Sequence, residues 1–464
     1  MIFNAERGKI NTSLLKMFYE RSKTMKLRKI FALLLALCMV AGLTACSGSD
    51  TQSSEASKAS EAEAVEPAQS EDTATEPAGV EDSEFFGPIY DDWSKMSDEE
   101  LLAAALEEAK DGKPITVYAT SSKMLKNKET FEEAYPGLTV DIMDLDNDEV
   151  LQKCVLEANA GNVQGDVLQV KDVNGQVFFE YYEDGFIAPY YPEDICAHID
   201  EDLLRYGYPL YASQSFWYYN DAAFPDGQPI DSWWQIIEKD ENGNQKFRLF
   251  TKDIGSETAY LSLFASFIVN ADQMEANYKE VYGKDLEYTY DASGFDFEVP
   301  EKNAGVEYLW RFSQMKITFI SDGDELVAAV HNSTAEDPAL ALASAGKIGN
   351  REESNYNIAW LVLNPYNALQ NIEYMYVVNN CKHPAGARLF IRFTTGGVDG
   401  ESGGFKPFQK EGNWPVRDDI KDKKNPMTLK ELNAVEPDLA SIYETFLDAQ
   451  DMWIYWLDKN PNTK

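Results

Sequence analysis

Between residues 98 and 170 the chain changes hydrophobic period again and again, and that alternation limits its architecture more than any other feature. Residues 99–110 carry apolar side chains at helical spacing and stop before Asp111-Gly112. Ile115–Ala119 then reads as a short strand, 126–135 as a helix closed by Pro136-Gly137, and 138–143 as a second strand. Residues 147–160 form an amphipathic helix with Val150, Leu151, Cys154, Val155 and Ala158 inward, and 166–170 is a third strand. Strand, helix, strand, helix, strand at this spacing predicts a parallel sheet with crossover helices. Cys154, on the apolar side, is expected in the core.

Charge removes several functions. Acidic residues number 79 against 41 basic, a net charge of -38. Such a chain repels nucleic acid phosphates and anionic lipid rather than gathering them. Three His and five scattered Cys supply neither a zinc ribbon nor a disulfide framework. No metal and no cofactor is expected.

The N-terminus adds an address. From Met25 the sequence reads MKLRKIFALLLALCMVAGLTAC: a basic stretch, then an apolar run over 30–43, then Leu43-Thr44-Ala45-Cys46. The apolar run is too short for a spanning helix and fits a secretory signal. Its end resembles a bacterial lipobox, which predicts Cys46 as the lipid attachment. Residues 1–45 are therefore assigned to an upstream extension plus signal peptide. Residues 47–84 hold 11 acidic residues and one Lys among Ser, Ala, Thr and Pro, the composition of a disordered tether, assigned to 46–95 with the anchor. Without residues 1–45 the net charge is -44. A lipid-anchored body on the outer face of the cytoplasmic membrane follows, with membrane contact only through the anchor.

Several segments carry a resemblance. They are Ile115 to Ala119, Phe131-Glu132-Glu133-Ala134-Tyr135-Pro136-Gly137, Gly165-Asp166-Val167-Leu168 and Gly185-Phe186-Ile187-Ala188-Pro189-Tyr190. Further on come Phe216-Trp217-Tyr218-Tyr219-Asn220, Pro229 to Trp234, Lys382-His383-Pro384-Ala385-Gly386-Ala387-Arg388 and Asn413-Trp414-Pro415-Val416-Arg417. In this order over about 114–425 they resemble the extracellular solute-binding proteins of ABC importers, family 1. The resemblance implies an α/β, two-lobed periplasmic-binding-protein type II fold, each lobe a mainly parallel sheet flanked by helices. It places lobe one at 96–213 and 361–402, lobe two at 216–357 and 403–464, and hinges near 212–219 and 358–363.

Ligand-facing candidates come from loops at strand ends and from the hinge. Thr120, Ser121 and Ser122 follow the first strand, where hydroxyls and free backbone N–H groups suit an anionic or polyhydroxyl solute. Ser256, Glu257 and Thr258 open an apolar helix whose start the resemblance turns toward the cleft, and Gln169 follows the third strand. Around the first hinge, Ser213, Gln214, Trp217 and Tyr218 offer a stacking face and hydrogen bonds. Asn332, Ser333, Asn364, Tyr366 and Asn371 complete the set.

The expected function is capture of a small polar solute, of sugar, sugar phosphate or polyamine type, by a monomer that delivers it to a membrane ABC permease. The excess of acid leans mildly toward cations such as polyamines. Ferric-ion binding is an alternative, set back because the stretch 331–345, matched to the tyrosine-bearing loop of ferric relatives, has no Tyr. A secreted, membrane-anchored hydrolase such as a glycosidase is the other alternative. No G-x-S-x-G, H-E-x-x-H or P-loop motif is present, so no catalytic residue is assigned.

Overall fold

The structure, a computed structural model, describes residues 88–461. The signal segment, Cys46 and the acidic stretch up to residue 87 lie outside the described residues. The tether was expected to run to 95, but Trp93–Lys95 form a 3-10 turn. The Arg388 guanidinium sits 4.3 Å above the Trp93 ring, a cation–π contact that docks the turn on the body.

Two mixed sheets organise the described residues, one in each lobe. The first runs β13 (Asn413–Pro415), β5 (Tyr208–Ser213), β12 (Asn371–Val378), β3 (Val167–Asp172), β1 (Ile115–Ala119), β2 (Val140–Asp144), with β4 (Ile187–Pro189) beside β12. Strands β1, β2 and β3 are parallel, joined by the helices Asn127–Ala134 and Asn147–Asn159, as the alternation predicts. Cys154 is buried on the inner side of the second helix. The second sheet runs β10 (Ala359–Trp360), β6 (Ser215–Tyr219), β9 (Ala339–Ser344), β7 (Arg248–Thr251), β8 (Ile317–Phe319), with β7, β8 and β9 parallel. Among the described residues no helix is long and apolar enough to cross a membrane.

The chain changes sheets at three places. Ser213 ends β5 and Ser215 begins β6, so Gln214 alone makes the first passage. The second passage was expected near 358–363, but Leu361, Leu363, Tyr366 and Leu369 pack in the second lobe's core, and the chain enters the first sheet only at Asn371. The stretch 403–464, expected wholly in lobe two, is divided. Asn413–Pro415 pairs with β5, whereas Ala434–Val435 pairs with Ala368–Leu369 and the helix Leu439–Lys459 packs in the second core. A three-residue strand gives almost no periodic signal, so its sheet is set by the partner it meets.

The passages are stitched together. Asn371 and Asn413 both sit opposite Ser213, the Gln214 side chain accepts from the Asn371 N–H at 3.1 Å, and the Gln214 carbonyl accepts from Ala345 N–H at 2.9 Å. Gly412, at φ 79°, lies so close to Gly346 that a Cβ there would come within 2.2 Å of the Gly346 nitrogen. Only glycine fits both that backbone angle and that approach.

In the second lobe Trp233, Phe264, Phe267, Tyr308 and Phe312 interlock, and the helix Leu439–Lys459 adds Trp453 and Trp456. The helix Ala304–Ser313 presses on Thr258–Val269 at Gly305, where a Cβ would fall 2.1 Å from the Phe267 carbonyl. At the base of the first lobe the buried Asp166 carboxylate accepts from Thr116 N–H (2.8 Å), Lys382 N–H (3.1 Å) and His383 N–H (2.9 Å), and lies 3.0 Å from His383 Nδ1. Burial opposes charge on the imidazole, yet its bonds and attraction to Asp166 and Asp111 hold the His383 pKa above its ordinary value.

Candidate functional site

In open α/β sheets the strands' carboxyl ends supply binding loops. At that end of the first sheet the side chains change from apolar to polar. Val117 and Val167 are fully buried in apolar surroundings, while two register positions further Ala119 pairs with Gln169. Gln169 is buried and spent on its neighbours. Its Oε1 accepts from Thr120 N–H at 3.0 Å, and its Nε2 donates to Glu373 at 2.5 Å and Thr120 Oγ1 at 3.2 Å.

Glu373 is the centre of this group. It is the third residue of β12, only 5% exposed, opposite Lys171 on β3 and Tyr211 on β5. Lys171 Nζ lies 3.3 Å from one of its oxygens. Burial pushes the Tyr211 phenol well above its ordinary range; the Glu373 charge adds to the push, while a hydrogen bond with Ser121 opposes it. The phenol is therefore neutral. Lys123 Nζ sits 5.4 Å over the Tyr211 ring. Burial draws the Lys123 pKa below its usual value; Glu373 opposes the fall, and Lys410 and Lys171 deepen it, which puts all three within electrostatic reach of one ammonium.

Of the candidates, Thr120, Ser121, Gln169 and Ser213 gather on this sheet end. Ser213 is half-buried, its hydroxyl 3.5 Å from the Asn371 carbonyl. Ser122 is exposed at the start of a 3-10 turn. Ser256, Glu257 and Thr258 follow the carboxyl end of β7. There Ser256 Oγ donates to the Asp253 carbonyl at 3.0 Å, Lys252 Nζ pairs with Glu257 at 2.7 Å, and Thr258 is the exposed first residue of its helix.

Five expectations require correction. Trp217 is fully buried among Trp233 and Phe312, and Tyr218, equally buried, donates to the carbonyls of Ser344 (2.8 Å) and Ala345 (2.9 Å). Both faces of β6 are covered, Phe216 to Tyr219 all being buried, so neither alternate side of the hinge strand reaches solvent. Tyr366 is a core residue whose hydroxyl meets Ser266 Oγ at 2.9 Å. Asn332 caps the helix Gly323–His331 before β9 begins, at the end of that strand opposite Gln214, with its amide on the Ala328 carbonyl. Ser333 beside it is buried on the Val330 carbonyl.

The charged members Lys123, Lys171, Glu373 and Lys410 escaped sequence reasoning, as did Tyr211. A signal existed for two of them: Glu373 interrupts the run Asn371–Val378, and Lys171 interrupts Val167–Asp172, both otherwise strand-like. A charge inside such a run requires a polar partner.

A family model described as bacterial extracellular solute-binding protein matches residues 126–436. No curated protein matches the chain. Solved structures with the same fold include iron-bound HitA from Pseudomonas aeruginosa, at 15% identity, 74% coverage of this chain, 99% of that one and a TM-score of 0.53. The Trichodesmium IdiA (FutA) protein in complex with iron and citrate aligns with 15% identity, the same two coverages and a TM-score of 0.52. Apo ferric ion-binding protein A from Pasteurella haemolytica aligns with 12% identity, 74% and 97% coverage and a TM-score of 0.50. Such identities establish a shared two-lobed type II periplasmic-binding fold and nothing about the ligand.

Proposed function

The chain belongs to the bacterial extracellular solute-binding protein family, and from that membership we propose that it captures a small polar organic solute between its lobes and hands it to the permease of an ABC importer. One observation carries the choice of site: the polar group around Glu373, set into the carboxyl end of an otherwise apolar sheet. Thr120, Ser121 and Ser122 stand beside it, and the 256–258 turn of the second lobe supplies the facing contacts. Closure over the solute shifts an open–closed equilibrium that the permease reads, a device that requires no bond to be broken. Cys46, diacylated, would hold the monomeric body at the outer membrane face through the acidic tether.

Thermal denaturation against a solute library tests the proposal. A ligand that binds only the folded chain stabilises it by about 2.7 kcal/mol at a hundredfold excess over Kd. Turnover of a glycan or ester by the purified protein, with no stabilising solute, would replace transport by hydrolysis.

Iron is the second reading, because two of the structural neighbours are described with iron bound. The neutral Tyr211 phenol and the surrounding lysines oppose a bare ferric ion, which needs anionic oxygen donors. Addition of ferric citrate and a search for a visible tyrosinate-to-iron absorption band decides between them.

A further inference from the structure

The sign of the charge at this site runs against the whole chain. Acidic residues outnumber basic ones 79 to 41, yet here Lys123 lies 5.4 Å over the Tyr211 ring and the one carboxylate, Glu373, is paired with Lys171. Glu373 is already matched by Lys171 at 3.3 Å, which leaves Lys123 without a carboxylate of its own. Lys123 is half-buried and, among the described residues, makes no ion pair and no hydrogen bond. An ammonium withdrawn from water without an anion is costly. The exposed lysines elsewhere do better: Lys279 has Asp285 at 2.8 Å and Lys347 has Asp324 at 2.7 Å.

The donors nearby have the same preference. The exposed Ser122 hydroxyl stands next to Lys123 in sequence and the Tyr211 ring lies below its ammonium, while the Ser121 and Tyr211 hydroxyls are engaged with each other and with Glu373. Hydroxyls and ammonium groups are donors to oxygen, and charged partners make such bonds shorter and stronger. Glu373, by contrast, is occupied by Gln169 and Lys171 and has little left for a cationic guest.

We infer that the solute bears an oxyanion, phosphate, phosphonate or carboxylate, and that Lys123 receives it, with Lys410 adding long-range attraction. This rests on the solute-binding reading above and reverses the lean toward polyamines suggested by total charge. The mean charge of a chain is an average over its whole surface, whereas affinity is set by the few groups within a Debye length of the guest.

The test uses the purified full chain in detergent, at low ionic strength, with glucose 6-phosphate, inorganic phosphate and citrate as anionic probes. Glucose and spermidine are the neutral and cationic probes. At least one oxyanion should raise the melting temperature in proportion to its concentration, and added sodium chloride should weaken the effect. Phosphate acting alone identifies the inorganic ion; glucose 6-phosphate acting far more strongly identifies a phosphorylated organic solute; citrate acting alone identifies a carboxylate. Lys123→Met should reduce affinity at least tenfold while leaving the melting temperature of the unliganded chain no lower than that of the native protein. Lys123→Arg should retain most of it, and Lys410→Glu, at an exposed position, should reduce it severalfold.

Stabilisation by spermidine or glucose with none by the oxyanions overturns the inference and leaves solute binding intact. So does oxyanion binding that is equal in the native chain, Lys123→Met and Lys410→Glu. Conversion of glucose 6-phosphate into products overturns the solute-binding reading itself. Failure of all three oxyanions to shift the melting temperature removes the inference as well.

Discussion

The second lobe's core is dominated by rings, whereas the first buries more of its charged groups beside an apolar core. In the second, Trp233 meets Phe267 at a centroid distance of 4.9 Å, Trp234 meets Tyr308 at 5.3 Å, and Phe312 stacks on Trp453 at 5.8 Å. In the first, Asp166 and His383 share a buried base, Arg392 is fully buried on the carboxylates of Asp98 and Asp194, and Glu373 carries the polar sheet end. Apolar packing is non-directional and tolerates no particular guest. Directional polar groups cost more to bury, and where their donors are left free they can select a ligand. The contrast suggests one lobe built as a rigid wall and one as the recognising face.

The largest effect should come from breaking the aromatic wall. Trp233→Ala removes an indole that also donates to the Tyr366 carbonyl at 2.8 Å, and should cost about 3–5 kcal/mol in a urea melt. A loss below about 1 kcal/mol would mean the second core is far more plastic than its packing indicates.

Next is the polar base. Asp166→Asn removes the partner of one imidazole and of backbone donors, with an expected loss of about 2–4 kcal/mol. The pH dependence gives a sharper view. A histidine whose pKa rises on folding stabilises the protein below its unfolded value of about 6.5. That stabilisation disappears as pH climbs through the raised folded value. Stability measured from mildly acidic to mildly alkaline pH should fall across this window, and His383→Gln should remove that part of the slope.

A smaller change is expected at the sheet end itself. Glu373→Gln keeps a group that accepts from Gln169 but leaves Lys171 without its carboxylate, for a loss of about 1–2 kcal/mol in the same melt. A loss as large as that of Trp233→Ala would make Glu373 a structural keystone rather than part of a recognition surface.

The smallest effect belongs to the second lobe's exterior. Lys279 and Asp285 form an ion pair at 2.8 Å in full solvent, and Asp285→Ala should leave the unfolding midpoint unchanged within measurement scatter. A clear shift would contradict the view that solvent-exposed ion pairs contribute little to this lobe's stability.

Local pattern carried far in places. The helix Asn147–Asn159, the strand Ile115–Ala119, the buried Cys154 and the Ser232 cap of Trp233–Ile236 all follow from neighbours a few residues apart. Hinge-strand orientation was harder, because Trp217 and Tyr218 look like stacking residues in any one-dimensional reading. Covering both sides of β6 made them core.

What the amino-acid order settled by itself was the succession of elements and the apolar side of each, since hydrophobic period and capping act over one or two turns. What three dimensions alone decided was company. Lys123, Lys171, Tyr211, Glu373 and Lys410 come from five separate segments, and strand order brings them to one end of a sheet. Pairing between distant strands depends on the closure of the whole fold, so no window of sequence contains the charge that a solute would meet.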